Sequence, residues 1–336
     1  MVSQFNYTIH FIVLQGVRAK MFLKKREFFE GREALVVSGL GSYSLSDSLE
    51  CGQAFRYEKI CEKEGYVEYM TVVGDHLITV GQKTAGELVF YAISDEVFES
   101  VAVPYFALDT DYEEIRSDIL SHTDSEWLKK AAESAKGIVI LKQDEWESIF
   151  SFIISQNNNI PRIRKIIRQL SAEYGVNICL QKGIKKCPLG KISASPCEEL
   201  CSSCGSCYSF PTASAVAEDP EKMLSSKPGF RYKYLLSAAE GVHSGKIDLE
   251  AIAEAKSYSY TVEELKKIKG VGDKVASCAA LFGFGNLEAF PIDVWMKRAI
   301  DTYFDGNLDP ASLGKYAGVA QQYIFHYIRN LKGQEK

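Results

Sequence analysis

The spacing of apolar and polar residues divides the chain into a β-rich first part and a helical second part. Between about residues 34 and 94, short runs rich in Val, Ile, Tyr and Phe are separated by Gly and Asp: ALVVSGL, QAFRY, YVEYMTVVG, HLITVGQ and ELVFYAI. Gly74 and Asp75 stand between two of these runs, as in a two-residue hairpin whose glycine adopts a positive φ. The pattern predicts an antiparallel sheet of about five strands.

After about residue 125 the apolar spacing becomes helical. The segment 144–156 has apolar residues at i, i+3, i+4 and i+7 behind Asp144 and Glu147, which resemble a capping box. A second helix is predicted from about Pro161, so the run QNNN (156–159) forms a corner of side-chain amides, an unusual choice because Asn favours caps and turns. Further helical patterns lie at 212–242, 249–256, 261–269, 274–284, 291–303 and 313–331.

The predicted fold class is therefore α+β, with an N-terminal antiparallel β-sheet domain over 28–125 and an all-helical domain over 126–336. A length of 336 residues, 46% of them hydrophobic and 25% charged, suits two folded domains. No window approaches the roughly 18 to 20 continuous apolar residues of a membrane-spanning helix, so no membrane association is expected. Residues 1–27 are predicted to be a poorly constrained leader, with Met21 as an alternative start.

The apolar stretch NYTIHFIVLQGV near the N-terminus does not resemble a secretion signal. It has no basic run before it and no small-residue cleavage site after it. The protein is therefore expected inside the cell, in the cytoplasm or associated with the nucleoid. Its nine cysteines are then expected to be reduced.

Five of those cysteines predict either a metal site or a group of free thiols. They lie in an insertion-like segment, 179–210, that is rich in Cys, Ser, Gly and Pro. Their spacing, C-x9-C-x3-C-x2-C-x2-C, is dense enough for a structural zinc ion or an iron–sulfur cluster. The five are Cys187, Cys197, Cys201, Cys204 and Cys207. Free thiols in a surface loop are the alternative, and no cofactor is expected to be required for catalysis.

Positive charge is clustered, although the formal net charge of the chain is −5. IPRIRKIIRQL (160–170) has basic and no acidic residues, and GFRYKY (229–234) and LKKIKG (265–270) are also purely basic. Clustered positive charge, and not the whole-chain balance, governs binding to nucleic acid. A solvated helix face is an equally good explanation for any one cluster alone.

A two-glycine turn before an apolar helix predicts a phosphate-binding hairpin over 261–284. Thr261 is predicted to cap its first helix. Gly270 and Gly272 would permit a turn that residues with a Cβ resist, and the second helix is predicted to begin at about Asp273. The first N–H groups of that helix lack partners within it and would hold a DNA phosphate without reading sequence.

Lys274 lies in the first turn of the second helix, where the positive end of the helix dipole opposes an ammonium ion. The same field favours the uncharged amine, which is the nucleophilic form of lysine. An ordinary phosphate-binding lysine is the alternative. Asp293 precedes the helical run VWMKRAI, so it is an N-cap, a carboxylate held beside a reacting sugar, or both.

Together these motifs resemble 8-oxoguanine DNA glycosylases of the helix-hairpin-helix superfamily. The resemblance runs from about residue 34 to 330, in the family order. Its motifs are CGQAFRY (51–57), FSFIISQNNNIPRI (150–163), PGFRYKY (228–234), GVGDKVASC (270–278), FPIDVW (290–295) and AGVAQQYIF (317–325). The resemblance implies a helix-hairpin-helix glycosylase domain that acts, as a monomer, on double-stranded DNA containing 8-oxoguanine opposite cytosine.

The resemblance also implies the chemistry, that of a bifunctional base-excision-repair N-glycosylase and DNA-(apurinic or apyrimidinic site) lyase. Lys274 would attack C1′ of a flipped-out nucleotide, expel the base and form a Schiff base whose β-elimination nicks the strand. Asp293 would stabilise the developing positive charge. The carbonyl of Gly52 would accept the N7–H that distinguishes 8-oxoguanine from guanine. Cys278 and Phe325 would sandwich the base.

The remaining matched residues concern the base edge and the DNA. Gln321 would bond the Watson–Crick edge of the flipped base. Asn157 and Arg162 would fill the vacated stack and bond the estranged cytosine. Phe230 matches an aromatic wedge, and Arg231 is expected to contact the orphaned base or a nearby phosphate.

Two departures from the family pattern put the strictness of the cytosine preference in question. Trp295 stands where some members carry histidine and Phe230 where some carry tyrosine, and both changes remove polar contacts. Two other functions remain open: a hydrolytic glycosylase for alkylated purines, which generally lacks the lysine, and a non-catalytic DNA-binding protein. The joint presence of Lys274, Asp293 and Gly52 argues against both.

Overall fold

The first part of the chain forms one antiparallel sheet of six strands, in the order β1-β2-β6-β5-β4-β3. The computed structural model describes residues 21–184 and 205–334. The predicted two-residue turn joins β4 to β5, and Gly74 in it has a φ of 59°. The strands are β1 (Leu23–Phe29), β2 (Arg32–Ser38), β3 (Tyr57–Lys63), β4 (Tyr66–Val73), β5 (His76–Gln82) and β6 (Glu87–Tyr91).

Two details of the sheet prediction are wrong. The additional strand, β1, extends into the segment predicted as a leader and pairs with β2 from Leu23 opposite Ser38 to Phe29 opposite Arg32. Its sequence, LKKREFF, is too polar to read as a strand, but lysines are common on edge strands because they oppose aggregation. The run QAFRY, predicted as a strand, lies mostly in the loop before β3, which begins at Tyr57.

Helices make up most of the chain after the sheet, which confirms the α+β class. They are α1 (Leu45–Glu50), α2 (Tyr112–Ser121), α3 (Glu126–Ser134), α4 (Glu145–Ser155), α5 (Ile160–Tyr174), α6 (Ile178–Gln181), α7 (Ala213–Glu218), α8 (Tyr232–His243), α9 (Leu249–Ala255), α10 (Tyr258–Leu265), α11 (Asp273–Phe282), α12 (Val294–Tyr303) and α13 (Ala317–Gln334). Shorter helical segments are Asp95–Val97, Phe98–Ala102 (π-helical), Val103–Tyr105, and the 3₁₀ turns Pro220–Ser226, Gly229–Arg231 and Pro310–Tyr316. Among the helices described, none has the length and apolar character to cross a membrane.

Local capping signals explain where the key helices begin. The carboxylate of Asp144 accepts from the N–H of Glu147 at 2.8 Å, which confirms the predicted cap of α4. The prediction for the hairpin helix is wrong: α10 begins one turn earlier, with Ser257 as its N-cap, and Thr261 is buried inside it. Ser257, four residues upstream, is an equally good capping residue and accepts from the N–H of Tyr260, so the cap position was ambiguous in the sequence.

A buried amide joins the loop before β3 to the start of the helical part. The side-chain nitrogen of Gln53 donates to the carbonyls of Ser48 and Val139, both at 2.8 Å, and its oxygen accepts from the N–H of Leu141 at 2.9 Å. In return, the Gln143 side chain donates to the Gln53 carbonyl at 2.8 Å. One apolar core also continues from the sheet into the helices. The loop that carries Gly52 is therefore held against the helical part.

Candidate active site

One open cavity lies between the loop before β3 and the helices α4, α11, α12 and α13. With the open space at its mouth included, it holds about 360 Å³. The structure brings all six predicted catalytic and base-binding residues to this cavity. Its lining residues are Cys51, Gly52, Phe152, Lys274, Cys278, Phe282, Pro291, Asp293, Gln321, Gln322 and Phe325.

Lys274 is the second residue of α11, after the N-cap Gly272. Its Nζ donates to the hydroxyl of Ser155 at 3.3 Å and lies 5.3 Å from the ring centroid of Phe152. Phe152 in turn stacks on Phe282, which makes an apolar wall. Sequence reasoning missed Ser155 and Phe152 as neighbours of the lysine, because both read as ordinary positions of a buried helix. A hydroxyl, an aromatic ring and the side chain of Cys278 therefore contact the amine at the cavity.

Asp293 is the N-cap of α12, as predicted. Its Oδ1 accepts from the N–H of Met296 at 2.8 Å. A capping carboxylate is held at a defined place by the helix it caps. Because Asp293 also lines the cavity, a negative charge is fixed at the wall that carries Lys274.

Two thiols line the same cavity and both are neutral near pH 7. Burial raises the pKa of Cys278, and the nearby Lys274 only partly offsets this. Burial likewise raises the pKa of Cys51 to about 11. Cys278 therefore presents a soft, apolar sulfur to a ligand.

Helix α13 contributes the polar end and one aromatic face of the cavity. Phe325 follows Gln321 by four residues, so the two side chains lie on the same helical face. The guanidinium of Arg329 lies 5.4 Å from the Phe325 ring centroid. Gln321 and Gln322 are both buried and are bonded to each other. Sequence reasoning did not single out Gln322.

The hairpin turn between α10 and α11 depends on one of its two glycines. Gly270 has a φ of 86°, and a Cβ there would come within 2.3 Å of the Tyr234 ring. Gly272 has an ordinary φ of −104°, so it does not need the left-handed region. A Cβ at Gly272 would meet no atom within 4 Å. Its side of the turn is open to a close approach by a phosphate.

The amide corner between α4 and α5 is held by Arg231, which is 2% exposed. The Arg231 guanidinium donates to the carbonyls of Gln156, Asn157 and Pro228. Asn157 has a φ of 47°, a conformation that Asn adopts more readily than most residues. Arg231 was expected to contact the orphaned base or a nearby phosphate, but its side chain is buried against these carbonyls. In the structure it positions the corner.

The corner also contacts the hairpin. The side-chain nitrogen of Gln156 donates to the Gly270 carbonyl at 3.1 Å. Phe230, which precedes Arg231, is 47% exposed and packs edge-on against Tyr234. The corner, the exposed aromatic ring and the hairpin therefore form one connected surface.

The basic run on α5 is less available to DNA than its sequence indicates. Arg164 and Arg168 both pair with Glu58 of β3, at 3.3 and 3.2 Å. Arg162 is exposed, next to the amide corner. Of these three arginines, Arg162 is thus the one that remains for DNA.

Most of the predicted metal site lies outside the residues that the structure describes. Cys187, Cys197, Cys201 and Cys204 belong to that part of the chain. Cys207 is buried with Cys179 and Met70. Over 21–184 and 205–334, no three His, Cys, Asp or Glu residues are grouped as metal ligands would be. The zinc or iron–sulfur site stays a prediction, which elemental analysis of the purified protein tests.

The fold and the cavity together define a DNA glycosylase with a helix-hairpin-helix. The family model described as "8-oxoguanine DNA glycosylase, N-terminal domain" matches residues 37–149. An 8-oxoguanine glycosylase/lyase from Clostridium acetobutylicum, solved in its apo form, is 31% identical, covers 90% of this chain and 98% of its own, and gives a TM-score of 0.74. The chain belongs to this family of 8-oxoguanine DNA glycosylase/lyases.

Further relatives agree. The Clostridium protein solved with double-stranded DNA containing cytosine opposite 8-oxoguanine is 30% identical, covers 94% of this chain and 99% of its own, and gives a TM-score of 0.75. The N-glycosylase/DNA lyase of Saccharomyces cerevisiae is 26% identical over 273 residues, which are 76% of this chain and 66% of the yeast protein. The family resemblance predicted from the motifs is confirmed.

Proposed function

We propose that the chain is a bifunctional base-excision-repair enzyme that removes 8-oxoguanine from duplex DNA and then nicks the strand. The observation that carries this proposal is the single cavity that holds Lys274, Asp293 and the predicted base-binding residues. Membership of the 8-oxoguanine glycosylase/lyase family favours it over a hydrolytic alkylpurine glycosylase and over an idle DNA-binding protein.

The proposed reaction begins with the neutral amine of Lys274. Its lone pair forms a bond to C1′ as the C1′–N9 bond breaks, and the base leaves with the electron pair of the C1′–N9 bond. The ammonium so formed gives one proton to the departing base. The nitrogen then forms the C=N bond of a Schiff base as O4′ leaves C1′ with the bonding pair and takes up the second proton from the nitrogen. Loss of a proton from C2′ expels the 3′ phosphate oxygen and breaks the strand. Asp293 offsets the positive charge that develops on the sugar.

The same cavity would select the damaged base. The main-chain carbonyl of Gly52 would accept the N7–H of 8-oxoguanine; guanine would instead place a lone pair there, at a cost of about 1–3 kcal/mol. The neutral thiol of Cys278 and the ring of Phe325 would lie on opposite faces of the base. Gln321 would bond its Watson–Crick edge.

The connected surface formed by the amide corner, the exposed ring of Phe230 and the hairpin would hold the DNA. The open side of the turn at Gly272 suits a phosphate on the N-terminus of α11. Asn157 and Arg162 would occupy the space left by the flipped nucleotide, and Phe230 would wedge the neighbouring step. We propose cytosine as the opposite base and a monomer as the active form.

Borohydride trapping tests the function directly. A duplex with 8-oxoguanine opposite cytosine is incubated with the protein and sodium borohydride, which reduces a Schiff base to a stable adduct. We expect a covalent protein–DNA band with the natural chain and none with Lys274→Gln. Lys246→Gln, which removes a lysine outside the cavity, is the matched control and should still trap.

Two results would contradict the proposal. Excision of the base without any trapped adduct would indicate direct hydrolysis. Binding of the duplex without excision would indicate a non-catalytic protein.

A further inference from the structure

Gln322 is a buried polar residue of the cavity that the proposed reaction does not use. It is 4% exposed, and its side-chain nitrogen donates to the side-chain oxygen of Gln321 at 2.6 Å. Its own oxygen is buried and has no hydrogen-bond partner among the residues described. Buried polar groups nearly always have a hydrogen-bond partner, so the unpaired side-chain oxygen of Gln322 in a ligand cavity requires an explanation.

The hydrogen bond between Gln322 and Gln321 matters because a glutamine whose amide turns freely does not discriminate between base edges. A primary amide has a donor end and an acceptor end, and a half-turn about its last torsion exchanges them. Guanine presents O6 as an acceptor beside N1–H as a donor. Adenine presents the reverse, an N6–H donor beside an N1 acceptor. A freely turning Gln321 would therefore complement either edge.

Gln322 removes this freedom. In the observed arrangement the nitrogen of Gln322 donates one hydrogen bond, and its oxygen has no partner among the residues described. If both amides turned over together, the oxygen of Gln322 would be used and its N–H groups would be left buried. Orphaned buried N–H groups are rarer than under-used carbonyl oxygens, so the observed orientation is favoured.

We propose that Gln322 is a specificity-determining positioning residue: it fixes the amide of Gln321 in the orientation that complements a guanine-type edge and opposes an adenine-type edge. This inference rests on the proposed function, because 8-oxoguanine as substrate decides which edge the fixed orientation matches. Gly52 would then recognise the oxidised N7–H, and the pair Gln321–Gln322 would recognise the purine type.

Recognition of the purine type is tested by itself when excision of 8-oxoguanine is compared with excision of 8-oxoadenine, each in the same duplex opposite cytosine. Both bases carry the N7–H, and they differ at the Watson–Crick edge. The measured quantity is the ratio of kcat/KM for the two bases. We expect the natural chain to favour 8-oxoguanine and Gln322→Met, similar in length but without the amide, to lower the ratio about tenfold.

Gln322→Glu gives the sharper result. A carboxylate only accepts, so Gln321 must turn its nitrogen towards it and present the opposite orientation to the base. The ratio should fall further than in Gln322→Met, on the order of a hundredfold below the natural chain. Asn330→Met removes an exposed amide from the same helix outside the base cavity and should leave the ratio unchanged.

Cleavage of a duplex with an abasic site is measured in parallel, because that substrate has no base for the amide pair to contact and reports whether a variant is folded. An unchanged ratio in a variant that still cleaves abasic sites would overturn the inference. The inference would also be overturned if the natural chain excised both bases equally well. A natural chain that excises neither base would instead refute the proposed function.

Discussion

Asp293 shows how one side chain serves both the fold and the proposed chemistry. Its carboxylate caps α12 and lines the cavity that holds Lys274. The cap needs only an oxygen acceptor, whereas offsetting charge on a sugar needs a full negative charge. Replacing Asp293 by a neutral residue that still caps a helix can therefore separate the capping role from the electrostatic role.

Asp293→Asn should keep the fold and lose the chemistry. Asn is as good an N-cap as Asp, so the free energy of unfolding should change by less than about 0.5 kcal/mol. Base excision should fall by about a hundredfold or more because the charge is removed. Denaturant unfolding and single-turnover excision measure the two effects.

Asp293→Ala is the comparison variant, since it removes the cap as well and should cost about 1 kcal/mol of stability. If Asp293→Asn excised the base at the natural rate, the carboxylate would be a cap alone.

At the scale of single elements, the corner between α4 and α5 is held from within. The guanidinium of Arg231 contacts three main-chain carbonyls, and the planar fork of five donors makes this arrangement available to arginine and not to lysine. Its burial lowers the pKa of Arg231, and the neighbouring Arg162 adds to the effect. The charge is tolerated because the three carbonyls accept hydrogen bonds from the guanidinium, which also lies 4.5 Å from the centroid of the Phe230 ring.

Arg231→Lys should loosen the corner although it preserves the charge. At least one carbonyl would be left unpaired, so we expect a loss of about 1–3 kcal/mol in the free energy of unfolding. Affinity for a duplex with an abasic site should fall in the same variant, because Asn157 would no longer be held in its left-handed conformation. Fluorescence anisotropy measures that affinity.

Lys233→Ala removes a neighbouring exposed cation and should change stability by no more than about 0.5 kcal/mol. Equal stability of Arg231→Lys and the natural chain would refute the structural role of the guanidinium.

The sequence predicted the elements and the residues of the cavity better than the bonds between them. Lys274, Asp293 and Gln321 were found because each lies in a motif at a helix start or on one helix face. The internal use of Arg231 was missed because tertiary packing brings its main-chain partners near. The bond from Gln322 to the adjacent Gln321 was missed because it depends on side-chain orientations that the apolar pattern does not specify. The hairpin cap was misplaced because Ser257 and Thr261 offer the same local chemistry.

At the scale of the whole molecule, the cavity is completed by a loop from the sheet half. Gly52 is next to Gln53, whose amide bonds the carbonyls of Ser48 and Val139 and the N–H of Leu141. Arg56, three residues on, pairs with Glu147 at 2.9 Å at the start of α4. These bonds place the Gly52 carbonyl, which we propose reads the base, with respect to a helix far away in sequence.

Gln53→Met should damage both stability and base selection. The side chain is close in size but leaves several buried main-chain groups unpaired, so the free energy of unfolding should fall by about 2–4 kcal/mol. Because Gly52 would also be less well placed, the excision of 8-oxoguanine relative to guanine should fall. Unfolding in guanidinium chloride measures the stability, and competition between duplexes with 8-oxoguanine and with guanine measures the base preference.

Gln82→Met is a suitable comparison, since that amide bonds Leu45 and Tyr43 within the sheet half. It should cost stability but leave the preference for the oxidised base intact. A preference that fell equally in both variants would show that general loosening, and not the placement of Gly52, is responsible.

The amine of Lys274 is held by a hydroxyl and a phenyl ring in a cavity with an open mouth. Such an amine is accessible to compounds much smaller than a nucleotide. A small aldehyde is therefore expected to condense with this amine and to compete with DNA for the same site.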